Sequence, residues 1–436
     1  MIWLYRLLIL PFFLATSPYY VARMLKRGGY GKDFSHRFGF VPALPARKQG
    51  VKRIWIQAVS VGETEAVAPL LKALKVRGDV EVILTTTTST AYKIIREKYA
   101  DLVDAYACFP FDFWAFSALA WQRFDPTLMI QMEGELWPEH LHQAKTRGVP
   151  VILVNARLSD RSFRRYQKFS FFAKRIFAHI AFVCAGTQND YNRIASLGVP
   201  AERLMLAGNM KFDAAGGNAF SAAEKLALYK ELFNPAGTQN EAGEVLLGSS
   251  TWPSEEQVML DAFLRARERH SALKLLIVPR HAERREEIVA ILKNTNLKWY
   301  LRSQTAPESV PADADICVAD TTGELRKLSQ VATLAFVGKS LLPNKGGQTP
   351  IECAALGVPL VYGTEMTNFR DVCRALEDIK AAIKVKNADE AVATLCALLD
   401  DKNRRDAMSA AEKRWHADNQ GATARVFEKL CEFLNQ

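Results

Sequence analysis

Short apolar runs, each closed by a polar or glycine-bearing turn and followed by helical spacing, recur along most of this chain. Between 51 and 213 the runs are 54–59, 80–86 (VEVILTT), 127–132 (TLMIQM), 149–155 (VPVILVN) and 180–185 (IAFVCA). Helical patterns lie between them, as at 90–98 and 136–146, and another follows at 188–197. Strands joined through helices pair in parallel, and parallel strands are covered on both faces, so they read as near-continuous hydrophobic stretches. The alternation predicts an α/β fold with helices on both faces of a mainly parallel sheet.

Residues 214–243 interrupt the alternation. Two Gly/Ala/Asn-rich ends flank one short helix, the composition of a connector. The pattern restarts at 244–248 (EVLLG), 273–278 (LKLLIV), 298–301 (KWYL), 315–319 (DICVA), 332–338 (ATLAFVG), 358–362 (VPLVY) and 381–384 (AAIK). Helices are expected from 388 to 436. The predicted plan is an N-terminal segment at 1–32, a Rossmann-like domain at 33–213, a connector at 214–243 and a second Rossmann-like domain at 244–436. The two domains are expected to face each other across a cleft, and a chain of 436 residues is long enough for two cores.

The first residues, MIWLYRLLILPFFLATSPYYVARMLKRGGYGK, are apolar apart from Arg6 and a few small polar residues, with Arg23, Lys26, Arg27 and Lys32 behind them. Pro18 near any cleavage site and a weakly basic start argue against a signal peptide. A single span with its basic flank in the cytoplasm and a helix lying in the membrane interface are the two remaining membrane readings. Arg6, Pro11 and Tyr19-Tyr20 suit the second, and membrane association at the cytoplasmic face is the expectation. The formal net charge of +10 asks for an anionic partner. Seven scattered cysteines, none in CxxC spacing, read as reduced thiols and not as a disulfide frame or a zinc site.

The stretch AVSVGETEA (58–66) puts Glu63 where a strand feeds a helix. An acidic residue there suits a helix start, with Ser60 or Thr64 as the cap. The carboxyl ends of parallel strands are also where α/β proteins keep their chemistry. Other strand ends are polar too: Glu133-Gly134-Glu135, Asn155-Ala156-Arg157, Lys211 in GNMKFD, Ser249-Ser250-Thr251, Arg280-His281, Gly323-Glu324 in DTTGEL, and KGGQTPIE (345–352). Gly346-Gly347 before a helix is either an ordinary turn or a set of N–H groups for a phosphate. Glu352, at the start of that helix, could reach ribose hydroxyls. No GxGxxG or P-loop is present. Residues 157–175 carry Arg157, Arg161, Arg164, Arg165, Lys168, Lys174 and Arg175, interleaved with Phe163, Tyr166, Phe169, Phe171 and Phe172. Such a mix suits amphiphilic anions or nucleic acid; beside an apolar N-terminus it points to phosphorylated lipid.

The ordered motifs VSVGETEA, EGELWPE, NARLSDRS, GNMKFD, VPRH, DTTGEL, LAFVGKSL and GGQTPIECAALGVPLVYG resemble those of the 3-deoxy-D-manno-octulosonic acid (Kdo) transferases of lipopolysaccharide synthesis, up to about residue 370. The resemblance implies the two-domain GT-B fold. It implies transfer of Kdo from CMP-Kdo to the lipid A precursor at the cytoplasmic face of the inner membrane, without metal or cofactor and with no nucleic-acid partner. Glu63 matches the family's general base, and an ordinary carboxylate pKa of about 4.3 would keep it ionised. Direct displacement would invert the anomeric configuration.

Under the same resemblance, Glu135, Arg157, Arg161, Arg164 and Lys168 fall on the acceptor side. Lys211, Ser249, Ser250, Thr251, Arg280, Gly323, Glu324, Gly346, Gly347, Thr349 and Glu352 fall on the donor side. Two departures stand out: Gln348-Thr349 where the family usually reads His-Asn, and Glu133-Gly134-Glu135 where it reads Glu-Thr-Glu. They leave open a GT-B enzyme with another donor or acceptor, or a membrane-bound scaffold that kept the fold.

Overall fold

The computed structural model describes residues 2–26, 31–216, 219–235 and 237–435. The chain forms two compact units: one up to Ala214, a second over Ala215–Asp418, and from Asn419 onward the chain belongs to the first again.

The first unit is built on a seven-stranded, all-parallel sheet. Its strands are β1 (Lys52–Gln57), β2 (Val80–Thr86), β3 (Ala105–Cys108), β4 (Leu128–Met132), β5 (Val151–Ala156), β6 (Phe182–Ala185) and β7 (Leu204–Leu206), in the order β3-β2-β1-β4-β5-β6-β7. Successive side chains of β1 go to opposite layers. Ile54 and Ile56 pack with Leu70, Leu71 and Leu74 of the helix Val61–Arg77, while Trp55 packs with Phe109, Trp121 and Phe124. The buried Trp55 indole donates to Thr85 Oγ1 at 2.8 Å, so its one polar group is satisfied. Strands β3 and β7 went unpredicted. They are the two edges of the sheet, four and three residues long.

The second unit repeats the plan with β8 (Val245–Thr251), β9 (Lys274–Pro279), β10 (Trp299–Leu301), β11 (Ile316–Val318), β12 (Leu334–Val337), β13 (Leu360–Gly363) and β14 (Ala382–Val385). The order is β10-β11-β9-β8-β12-β13-β14, again all parallel. Each of these strands coincides with a predicted run.

Two boundaries differ from the sequence-based plan. The helix Ala222–Phe233, expected as a connector, buries Leu228, Tyr229, Leu232 and Phe233 in the second unit's core. Four apolar residues on one stripe make it a core element in spite of its flanks. The last helix, Ala422–Leu434, was assigned to the second domain but packs on the first unit, with Ala422, Val426, Leu430 and Leu434 against Leu70, Leu71 and Leu74. Asp213 fixes its start, accepting the N–H groups of Gly421 at 2.7 Å and Thr423 at 2.5 Å. Arg425 Nε adds a bond to the Ala207 carbonyl at 2.7 Å.

The N-terminal helix Ile2–Lys26 belongs to the first unit. No helix among the described residues is long and apolar enough to cross a membrane. Trp3, Leu4, Leu7 and Leu8 are exposed on it, while Tyr5 and Arg6 bond to the unit's body. Arg27 of the expected basic flank lies outside the described residues.

Candidate active site

In open α/β sheets, sites form beyond the carboxyl ends of the strands, where the strand order reverses. In the first unit the reversal lies between β1 and β4. The turn after β1 carries Glu63 and the turn after β4 carries Glu133 and Glu135.

Glu63 sits in the first turn of the helix Val61–Arg77 and is only 6% exposed. Its Oε2 accepts the Val59 N–H at 2.9 Å and its Oε1 accepts the Ser60 hydroxyl at 3.1 Å. Ser60 occupies the N-cap without capping through its side chain, and Thr64 Oγ1 donates back to the Ser60 carbonyl at 3.0 Å. The carboxylate therefore braces the turn that presents it. Burial, and then the charge of Glu133, push the Glu63 carboxyl up to about 7, against the two hydrogen bonds and with a smaller push from Glu135. This corrects the expectation of an ordinary carboxylate: the sequence shows the residue type, while the shift comes from its surroundings.

Glu133 was not singled out as a site residue, yet it holds the centre of this end of the sheet. It adopts φ 56°, unusual for a glutamate. Gly134 follows because a Cβ there would stand 2.8 Å from the Arg157 carbonyl oxygen. Lys211 Nζ bonds Glu133 Oε1 at 2.6 Å. Lys211, expected on the donor side, is thus ion-paired within the first unit. Glu135 is half-buried, and burial followed by the Glu133 charge raises its carboxyl. The basic stretch forms two helices, Asp160–Lys168 and Ser170–Phe177. Arg157, Arg161, Arg164 and Lys168 are all exposed, as are Phe169, Phe171 and Phe172. Arg175 lies over the Phe171 ring at 4.3 Å. A cavity of about 850 Å³ beside Trp114, Trp121 and Arg147 adjoins the turns that precede β4 and β5, at the other end of the strands from Glu63.

In the second unit the reversal lies between β8 and β12. Ser249, Ser250 and Thr251 end β8 and are buried, with Ser250 at φ 54° where the β8–β9 register shifts. The β12 turn approaches them so closely that a Cβ on Gly338 would stand 2.3 Å from the Ser250 carbonyl oxygen. Buried Glu255 organises both turns through its two oxygens, accepting the N–H groups of Trp252, Lys339, Ser340 and Leu341 at 2.8–3.1 Å. Arg280, at the end of β9, is exposed and makes no ion pair among the described residues.

Other donor-side candidates are engaged within the unit. Glu324, beside Gly323 at φ 85°, receives a fork from Arg302 at 3.1 and 3.0 Å and a further bond from Thr321. Gly346 and Gly347 adopt φ 110° and 74°, as glycine allows, but their N–H groups donate to the carbonyls of Glu365 and Lys339, both at 3.0 Å. Those two amides form the turn, the first of the two readings their sequence leaves open, and are not directed at a phosphate. Thr349 Oγ1 accepts the Ile351 N–H at 3.3 Å, and Glu352 is half-buried in the first turn of the helix Ile351–Leu356. Among the described residues no cluster of His, Cys, Asp or Glu could hold a metal ion.

Residues 32–214 match the family model described as 3-Deoxy-D-manno-octulosonic-acid transferase (kdotransferase). The chain is 30% identical to the 3-deoxy-D-manno-octulosonic acid transferase of Haemophilus influenzae over 423 residues, 96% of this chain and 93% of that one. The chain belongs to the 3-deoxy-D-manno-octulosonic acid transferase family. The Bordetella pertussis transferase is 32% identical over 87% of each chain. Kdo transferases are glycosyltransferases of lipopolysaccharide synthesis, and the expected enzyme class holds. The fold is also that of the UDP-GlcNAc 2-epimerase of Neisseria meningitidis, a structure bound to UDP-GlcNAc, at TM-score 0.61 and 14% identity over 87% of this chain and all of that one. Both share the two parallel-sheet plan of GT-B glycosyltransferases.

Proposed function

We propose that this Kdo transferase moves Kdo from CMP-Kdo to a hydroxyl of the lipid A precursor, with inversion and with Glu63 as general base. The observation that carries the reading is the state of Glu63: buried at a strand-order reversal, held through both oxygens, and shifted up to about 7. A base works best when its pKa lies near the working pH. Glu63 takes the proton of the acceptor hydroxyl as that oxygen bonds to the anomeric carbon of Kdo. The bond from that carbon to the phosphate oxygen breaks, and CMP leaves with the electron pair. Arg280, exposed and without an acidic partner among the described residues, is suited to the phosphate charge that grows as CMP departs.

On the acceptor side, Arg157, Arg161, Arg164 and Lys168 offer cations for the lipid's phosphates, next to the exposed Phe169, Phe171 and Phe172. The exposed Trp3, Leu4, Leu7 and Leu8 favour an N-terminal helix that lies in the interface of the cytoplasmic leaflet. The test is transfer by the purified protein with CMP-Kdo made in situ and a tetra-acylated precursor, beside Glu63→Ala. Kdo added by the wild type and not by the variant supports the reading. A wild type that binds CMP but adds no Kdo refutes the assigned donor or acceptor, and an active variant refutes the base.

A further inference from the structure

We propose that Lys211 is a positioning residue for the base: paired with Glu133, it screens one strand-end carboxylate from Glu63 and so keeps Glu63 competent to accept a proton in neutral solution. The inference rests on the reading of Glu63 as the base.

The geometry holds both partners of the pair in place. Glu133 is fixed by its N–H to the Val154 carbonyl at 3.0 Å and by the tight Gly134 turn against Arg157. Lys211 lies in the first turn of the helix Met210–Ala215. The start of that helix is held by Asn155, at φ 51°, whose Oδ1 accepts the Met210 N–H at 3.1 Å. Asp213, in the same turn, is tied to the last helix. The ammonium is therefore aimed from two sides, and the pair is only 24% and 20% exposed, so solvent screens it less than a surface pair.

The groups that act on Glu63 are few. Its own turn supplies the Val59 N–H and the Ser60 hydroxyl, and the turn after β4 supplies Glu133 and Glu135. Lys211 is the cation paired with Glu133, the charge that acts more strongly on Glu63. Without it, Glu133 would act on Glu63 unopposed. A like charge beside a carboxyl raises its pKa, and Glu63 would then be protonated over more of the neutral range.

The test compares Lys211→Met, Lys211→Arg, Glu133→Gln and the double variant Lys211→Met/Glu133→Gln. The readouts are kcat/KM against pH, the KM for CMP-Kdo, and titration of the Glu63 carboxyl by ¹³C NMR with Glu63→Gln as the assignment control. Lys211→Met is expected to move the acid limb up by about one pH unit, roughly a tenfold loss at pH 6. Lys211→Arg should keep the limb in place, and the double variant should return it to the wild-type position or below. An unmoved limb with a raised donor KM in both Lys211→Met and the double variant would mean that Lys211 touches the donor, which overturns the proposal. So would loss of activity in both at every pH. If Glu63→Gln stays active, the base reading falls on its own, and the NMR titration still reads the coupling of Lys211 to Glu63.

Discussion

Arg6 of the N-terminal helix donates from Nε and Nη2 to the two carboxylate oxygens of Glu139, each at 2.8 Å. Glu139 is fully buried at the start of the helix Pro138–Thr146, directly after the turn that carries Glu133 and Glu135. Beside it, Tyr5 donates to Asp112 Oδ2 at 2.6 Å, and Asp112 accepts the N–H groups of Glu139 and His140. An arginine in an apolar segment is here the counter-charge of a buried carboxylate. Stranding such a carboxylate costs about 3–5 kcal/mol. Arg6→Ala is therefore expected to lower stability in urea unfolding by about 3 kcal/mol, and adding Glu139→Gln should recover most of the loss.

The raised Glu63 carboxyl predicts the pH dependence of transfer. A general base is active when deprotonated, so kcat/KM should fall below about pH 7, tenfold per unit at the acid end. Glu133→Gln removes the largest charge acting on Glu63 and should move that limb to lower pH. Glu63→Gln should cost roughly 10²–10⁴ in kcat, the usual range for a proton-transfer group. Steady-state rates from pH 5 to 9 decide each point.

Glu412, on the helix Lys402–Asp418, is fully buried, and neither carboxylate oxygen has a hydrogen-bond partner among the described residues. Burial raises its carboxyl well above the usual range, against a smaller opposing effect of Lys413. In the unfolded chain it titrates near pH 4.3. Below that value the group is neutral in both states and leaves stability unchanged. As pH rises from there towards the folded-state pKa, the unfolded chain ionises first and stability is lost. Glu412→Met should therefore raise the melting temperature more at pH 8 than at pH 5; an equal gain at both would refute the assignment.

Glu255 predicts a local failure in the second unit. Its carboxylate accepts four backbone N–H groups. Glu255→Gln would turn an NH₂ towards some of those donors and leave buried N–H groups unpaired, a cost of roughly 3 kcal/mol. CMP binding by calorimetry should weaken with it, because the β8 and β12 turns lose their common tie.

The strand runs of the second unit were legible because its strands leave unbroken apolar stretches in the sequence. Glu63 was legible because its place depends only on a strand, a turn and a helix start. What could not be read depends on partners far along the chain. Nothing local to GNMKFD says that Lys211 will meet a glutamate 78 residues earlier, or that Asp213 will cap a helix beginning at Ala422. Arg302 claims Glu324 across 22 residues, which removes a strand-end carboxylate from the set free to meet a ligand. At Gly346-Gly347 the residue type leaves a turn and a phosphate cradle both open, and the choice is made by Glu365 and Lys339, whose carbonyls take the two amides. The last helix was misassigned because its apolar stripe fits either unit equally well in one dimension.

That returning helix sets a timetable for synthesis. The stripe Ala422, Val426, Leu430 and Leu434 covers Leu70, Leu71 and Leu74 of the first unit, yet the ribosome makes it only after the roughly 200 residues of Ala215–Asp418. At roughly 5–20 residues per second, those leucines wait about 17–70 s for their cover, about 10–40 s of it after Ala214 has been made. The unit that begins first is thus completed last, and its nascent form displays an apolar strip for chaperones to hold in the meantime.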